Sequence, residues 1–120
     1  MKYIDTAEQK RIALDILDCF AKYCDEHSLK YFLAYGTLIG AVRHKGYIPW
    51  DDDIDVLMPR KDYEWFIHNF KGHPYYKVMA NEINPNYGKL FAVLNDTRTV
   101  KTEKLTRKRC VGTVCVNIDI

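Results

Sequence analysis

The sequence predicts an α/β domain of the α+β type, a mixed β-sheet with its helices gathered mostly ahead of the strands. Two observations carry this: a 3.6-residue apolar period runs through residues 6–27, and β-rich segments cluster after residue 75 rather than alternating with helices. A length of 120 residues with 48% hydrophobic content supports one domain, residues 1–120, with its own core. Aromatic content of 13% and a formal charge of +2 exclude a disordered chain. The longest uncharged stretch, Tyr31 to Val42, has 12 residues and two glycines, short of the ~18–20 a spanning helix needs. The first ten residues lack the apolar segment of a signal peptide, so the expected location is cytoplasmic.

Each element has its own reason. Ile12, Ala13, Ile16, Leu17, Phe20, Ala21 and Cys24 mark one face of a helix over 6–27, with Thr6 as the expected N-cap. Tyr31–Tyr35 reads as a short buried strand ended by Gly36, and Thr37–Arg43 as a second helix. His44–Pro49 is a loop punctuated by Gly46 and Pro49. Asp53–Met58 reads as a strand stopped by Pro59. Arg60–Phe70 is a third helix, with Tyr63, Phe66, Ile67 and Phe70 on one stripe. Strands are expected at Tyr76–Asn81, Lys89–Leu94, Val100–Lys104 and Cys110–Ile120, with Asn84–Gly88 as a turn. The chain stops at Ile120 inside the last of these, which reads as a domain cut short.

Four cysteines, at 19, 24, 110 and 115, lack C-x-x-C spacing and read as buried free thiols rather than a metal or disulfide framework. Charge is uneven. Residues 1–60 carry 8 Lys/Arg against 10 Asp/Glu, and residues 61–120 carry 10 against 6. The acidic excess is concentrated in Trp50-Asp-Asp-Asp-Ile-Asp-Val56. On a strand, Asp53 and Asp55 project to one face while Ile54 and Val56 enter the core. Two carboxylates ~6.7 Å apart repel by roughly 2.5 kcal/mol at an effective dielectric of ~20, so a cation is the natural complement. Hard oxygen ligands select Mg²⁺ or Mn²⁺. An EF-hand is excluded, because Val56 would occupy its obligatory glycine position.

A glycine between strand and helix, Gly36, lets backbone N–H groups approach a phosphate, with the Thr37 hydroxyl beside them. Arg43, His44 and Lys45 follow as a phosphate-contacting loop, and Tyr47 and Trp50 flank the acidic cluster. Asp119, between Ile118 and Ile120 on the last strand, is the expected third carboxylate of a metal clamp. Asp96 is the weaker alternative, because Asn95-Asp-Thr reads as a turn.

GTLIGAVRHKGYIPWDDDIDVLMPRKDYEWF, residues 36–66, resembles the signature of the LicD family, which includes phosphorylcholine transferases of bacteria and shares its motif with fukutin-type transferases. The resemblance implies a nucleotidyltransferase core of the DNA polymerase β type. It places Gly36 and Thr37 at that superfamily's Gly-Ser turn and Asp53 and Asp55 at its metal-binding pair, with Asp119 as third carboxylate. The Gly36-to-Asp53 gap is longer than the general superfamily pattern and similar to the LicD version, and LicD-like proteins usually continue well beyond 120 residues. What it implies functionally is Mg²⁺-dependent transfer of a phospho-alcohol group, such as phosphocholine from CDP-choline, to a hydroxyl of a cell-surface glycan precursor, releasing CMP. Arg43 and Lys45 would offset charge on the leaving CMP. Two other classes stand beside it: a D-x-D glycosyltransferase using a nucleotide sugar, and a non-catalytic nucleotide-binding fragment. Lys101–Arg109 carries five basic residues without interleaved aromatics. That composition argues against nucleic acid and for a solvated face able to dock weakly on an anionic membrane.

Overall fold

The computed structural model describes residues 5–49, 53–71, 73–99 and 116–120. Trp50, Cys110, Cys115, the basic stretch 101–109, the expected strand Val100–Lys104 and the first part of Cys110–Ile120 lie outside the described residues. Helix α1 spans Thr6–Glu26 and buries Ala13, Ile16, Phe20 and Cys24. Its N-cap is Asp5 rather than Thr6: the Asp5 carboxylate accepts the Glu8 backbone N–H at 2.8 Å, a capping bond that Thr6, already helical, does not make. Beyond its C-terminus, Ser28 adopts a left-handed φ of 56° and the Leu29 N–H donates to the Cys24 carbonyl at 2.8 Å, a Schellman closure. Cys19 and Cys24 are free thiols; burial pushes Cys24 up to about 12, so it stays protonated and inert.

Strand β1 is Phe32–Leu33, and helix α2, Tyr35–Arg43, starts before the expected Thr37. Gly36 therefore lies inside the first helical turn, and the strand expected to reach Tyr35 is cut back. Strand β2 is Val56–Leu57, paired antiparallel with β1 in the register Phe32 opposite Leu57. It is shorter than the expected Asp53–Met58 because the Asp55 N–H donates to the Thr37 hydroxyl at 2.9 Å instead of to a strand. Helix α3 covers Arg60–Asn69 and buries Phe66 and Ile67, with Phe70 as its buried C-cap.

Strands β3 (Tyr76–Met79), β4 (Val93–Asp96) and β5 (Val116–Asp119) form an antiparallel sheet in the order β3-β4-β5. The strand expected at Lys89–Leu94 is displaced toward the C-terminus. Asn95 and Asp96, expected in a turn, belong to β4, and Asp96 is 0% exposed. Arg98 makes this possible. Its guanidinium donates to both Asp96 carboxylate oxygens, at 3.0 and 2.7 Å, and its backbone N–H adds a third bond at 3.0 Å. The same guanidinium lies 3.7 Å from the centre of the Tyr75 ring.

One parallel bridge, Asp55 to Asp119, joins the two sheets, and the Asp119 N–H donates to the Ile54 carbonyl at 2.9 Å. Helices and strands are mixed as expected, but the strands form two small antiparallel sheets rather than one mixed sheet. Helix α1 packs on β4 and β5, and α3 meets α1 through an edge-on contact of Phe20 and Phe66, centroids 5.1 Å apart. Ile54, Val56, Leu94 and Ile118 complete this core from the sheet side. Among the described residues, no helix is long and apolar enough to cross a membrane.

Gly40 decides how α2 meets the following loop. A Cβ there would come within 2.3 Å of the Gly46 carbonyl oxygen, and both the His44 and Gly46 N–H groups donate to the Gly40 carbonyl, at 2.8 and 3.2 Å. Gly40→Ala should cost about 1–3 kcal/mol in chemical denaturation, because backbone atoms must move apart. A second test concerns Asp96. Burial pushes its carboxyl up, but the Arg98 hydrogen bonds and charge outweigh burial and hold it below the ordinary value. A lowered folded value means that stability from the pair is complete above the unfolded carboxylate range of about 4 and is lost as pH falls through the folded value. Acid titration followed by circular dichroism should show this loss in the wild type and a flatter acid limb in Asp96→Asn.

Candidate functional site

The D-x-D segment is held by the start of α2. Thr37 Oγ1 accepts the Asp55 N–H at 2.9 Å and donates to the Asp53 carbonyl at 3.5 Å, while the Ala34 N–H donates to the Asp55 carbonyl at 3.0 Å. The alternation expected for this stretch is present: Ile54 and Val56 are buried at 2% exposure each, Asp55 is half-buried and Asp53 exposed. The Thr37 hydroxyl, expected beside a phosphate, meets the backbone of the carboxylate segment. It positions the aspartates.

The parallel bridge sets Asp119 across from Asp55. Asp119 is half-buried, and on its other side it pairs with Val93 of β4. Asp96, the alternative third carboxylate, is fully occupied by Arg98 in the core and takes no part. Among the described residues, no group of three His, Cys, Asp or Glu converges as a ready-made metal site. Asp55 and Asp119 form a pair, with Asp53 two residues along the same face. Mg²⁺ is commonly held by one or two carboxylates together with substrate phosphates rather than by an all-protein cage. Carboxylate oxygens are the hard ligands such an ion prefers.

Beside the carboxylates lies a cavity of about 370 Å³, walled by Leu14, Leu17 and Leu33 and bordered by Gly36, Thr37, Lys45 and Asp53. Of the three consecutive basic residues, the structure brings Lys45 to this cavity; Arg43 and His44 are exposed and lie off its wall. Lys45 sits at a left-handed φ of 56° just past the α2 C-cap. The loop is anchored to α1 by Tyr47, whose hydroxyl donates to the Lys10 carbonyl at 2.9 Å, and by Lys10, whose ammonium donates to the Pro49 carbonyl at 3.2 Å. The sequence reading missed this clamp, because nothing in it ties residue 10 to residue 47. It also missed Tyr87, read only as part of a turn. Tyr87 is buried, at 9% exposure. A large aromatic ring inside Asn-Pro-Asn-Tyr-Gly was the signal, since a solvated turn has no use for one.

Comparison with known proteins assigns the family. Residues 28–110 match the profile described as LicD/FKTN/FKRP, nucleotidyltransferase domain. The lipopolysaccharide cholinephosphotransferase LicD of Haemophilus influenzae is 42% identical over 111 residues, covering 90% of this chain and 42% of that protein. An uncharacterized protein of Rickettsia typhi is 39% identical over 61 residues, 51% of this chain and 19% of its own length. A second uncharacterized protein, from Rickettsia prowazekii, is 49% identical over 37 residues, 31% and 14% of the two chains. The chain therefore spans less than half the length of these relatives. No solved structure matches it significantly. The family match covers the D-x-D segment, the loop before it and strands β3 and β4, and the chain belongs to the LicD family.

Proposed function

We propose that this chain is the metal- and donor-binding part of a phosphotransferase that moves phosphocholine from a CDP-linked donor to a glycan hydroxyl and releases CMP. The observation that carries the reading is the Asp55–Asp119 bridge beside a D-x-D segment fixed by Thr37. The named relative supports the phosphocholine part, since it is a lipopolysaccharide cholinephosphotransferase. Asp53 and Asp55, with Asp119 completing the set, would hold Mg²⁺ or Mn²⁺. When bound, the ion would neutralise the donor diphosphate and stabilise charge on its bridging oxygen.

The chain's own groups do the rest. The acceptor hydroxyl oxygen bonds to the phosphorus that carries choline, and the bond from that phosphorus to the CMP oxygen breaks. The electron pair leaves on CMP, and the hydroxyl proton passes to water at the open face. Lys45 at the cavity rim offsets the negative charge gathering on the departing phosphate. The first turn of α2, at Gly36, faces the same rim and adds the favourable end of its dipole. Arg43 and His44 serve the nucleotide only at longer range.

Incubation with CDP-choline, Mg²⁺ and lipopolysaccharide should release CMP, and EDTA should stop the release. Asp53→Asn and Asp55→Asn should each lower turnover about a hundredfold or more without lowering the thermal midpoint. Full activity in either variant overturns the assignment, and donor binding without CMP release favours the non-catalytic reading. Thr37→Val leaves the Asp55 N–H without its acceptor and should cost about 1–2 kcal/mol of stability. Its kcat should fall while KM for the donor changes little, and Thr37→Ser should restore both.

A further inference from the structure

Helix α2 turns its apolar stripe outward. Tyr35, Leu38, Ile39 and Val42 recur at i, i+3, i+4 and i+7, the spacing that ordinarily seats a helix on a core. The other described helices follow that rule: α1 buries Ala13, Ile16, Phe20 and Cys24, and α3 buries Phe66 and Ile67. On α2 the four stripe residues are 44–75% exposed, and the buried position is Gly40. At 100° per residue, Gly36, Thr37 and Gly40 share the opposite side. There Thr37 bonds to the D-x-D backbone, and Gly40 lies against the loop at Gly46. Small residues thus let the helix sit close to the domain, and its large apolar ones face solvent. Phe32, also exposed, precedes them in β1.

Charge indicates what such a face meets. Residues 30–49 contain no Asp or Glu, whereas Lys30, Arg43 and Lys45 are cationic and exposed, the last two where the helix ends. The backbone of Asp53 and Asp55 meets α2 at Thr37, on the side away from the stripe. An apolar helix face with a basic end fits the boundary of an anionic bilayer, where acyl chains take the stripe and headgroup phosphates take the cations. A second copy of this chain, docked stripe to stripe, has no carboxylate in this segment to pair with those cations. The helix is already formed and pinned at Thr37 and Gly40, so docking requires little further ordering.

We infer that the outer face of α2 is a peripheral docking surface for anionic lipid, with Tyr35, Leu38, Ile39 and Val42 in the acyl boundary and Arg43 and Lys45 at the headgroups. Lys45 also borders the cavity beside the D-x-D segment, so docking sets that cavity at the lipid surface. The inference does not depend on the reaction proposed above.

Co-sedimentation of the full chain with phosphatidylglycerol–phosphatidylcholine vesicles tests it. The wild type should bind these vesicles at low salt, about tenfold or more weakly at ~0.5 M salt, and not bind pure phosphatidylcholine. The double variant Leu38→Gln, Val42→Gln should bind the anionic vesicles about 10- to 100-fold more weakly with an unchanged thermal midpoint. Equal binding by variant and wild type assigns docking to other basic residues and overturns the inference, as does a wild type that ignores anionic vesicles. A second measurement needs no variant: anionic vesicles should slow amide hydrogen exchange over residues 35–43 and leave 60–69 unchanged. Exchange over 35–43 that the vesicles do not slow overturns the inference. A dimer in sedimentation equilibrium that the double variant dissolves also overturns it, by giving the face to a second copy.

Discussion

Two aspartates face each other where the two sheets of this protein meet. Neighbouring strands run ~4.8 Å apart, and carboxylates at about 5 Å repel by roughly 3 kcal/mol at an effective dielectric of ~20. The bridge between Asp55 and Asp119 holds against that repulsion because the residues beside it are apolar and buried. Ile54, Val56 and Ile118 are all at or below 2% exposure, and the Asp119 N–H is committed to the Ile54 carbonyl. The core beneath thus fixes the carboxylates above. Among the described residues this is the bridge that links the β1-β2 ribbon to the three-stranded sheet, so the charge pair and the sheet junction are one feature.

Helix α2 works as a spacer between the D-x-D segment and the cavity beside it. Its first turn delivers Thr37 to the backbone of Asp53 and Asp55, and its end delivers Lys45 to the cavity. Both ends carry a non-glycine residue in the left-handed region, Tyr35 at φ 51° and Lys45 at φ 56°. Such positions cost of order 1–2 kcal/mol each and persist only where surrounding contacts demand them. At Lys45 the demand comes from Gly40, against which the loop closes, and from Tyr47 and Lys10, which tie that loop to α1. Bonds between α1 and the loop after α2 thus also shape the cavity wall.

Much of this was legible beforehand. The stripe of α1 and the stripe of α3 follow from apolar spacing and survive in the structure with Phe20 and Phe66 in contact. The D-x-D alternation followed from the two-residue period, and the motif over residues 36–66 pointed to the family that the comparisons assign. The third carboxylate was less secure. Pattern ranked Asp119, set between Ile118 and Ile120, above Asp96, which looked like a turn residue. What removed Asp96 from contention was Arg98, whose guanidinium folds back on it and allows a charged side chain to be wholly buried in β4.

The sequence by itself determined the helices and the alternating faces of the acidic segment, because each depends on residues within a few positions of one another. Tertiary structure alone decided that Asp119 stands across from Asp55, 64 positions earlier in the chain, and that the Thr37 hydroxyl meets the backbone of Asp55. It alone also decided that the Tyr87 hydroxyl is buried, with no hydrogen-bond partner among the described residues. Each of these is a matter of register and packing between distant segments. No local period encodes such a juxtaposition; the shared core sets it, by fixing which strands lie side by side and which loops fold over them.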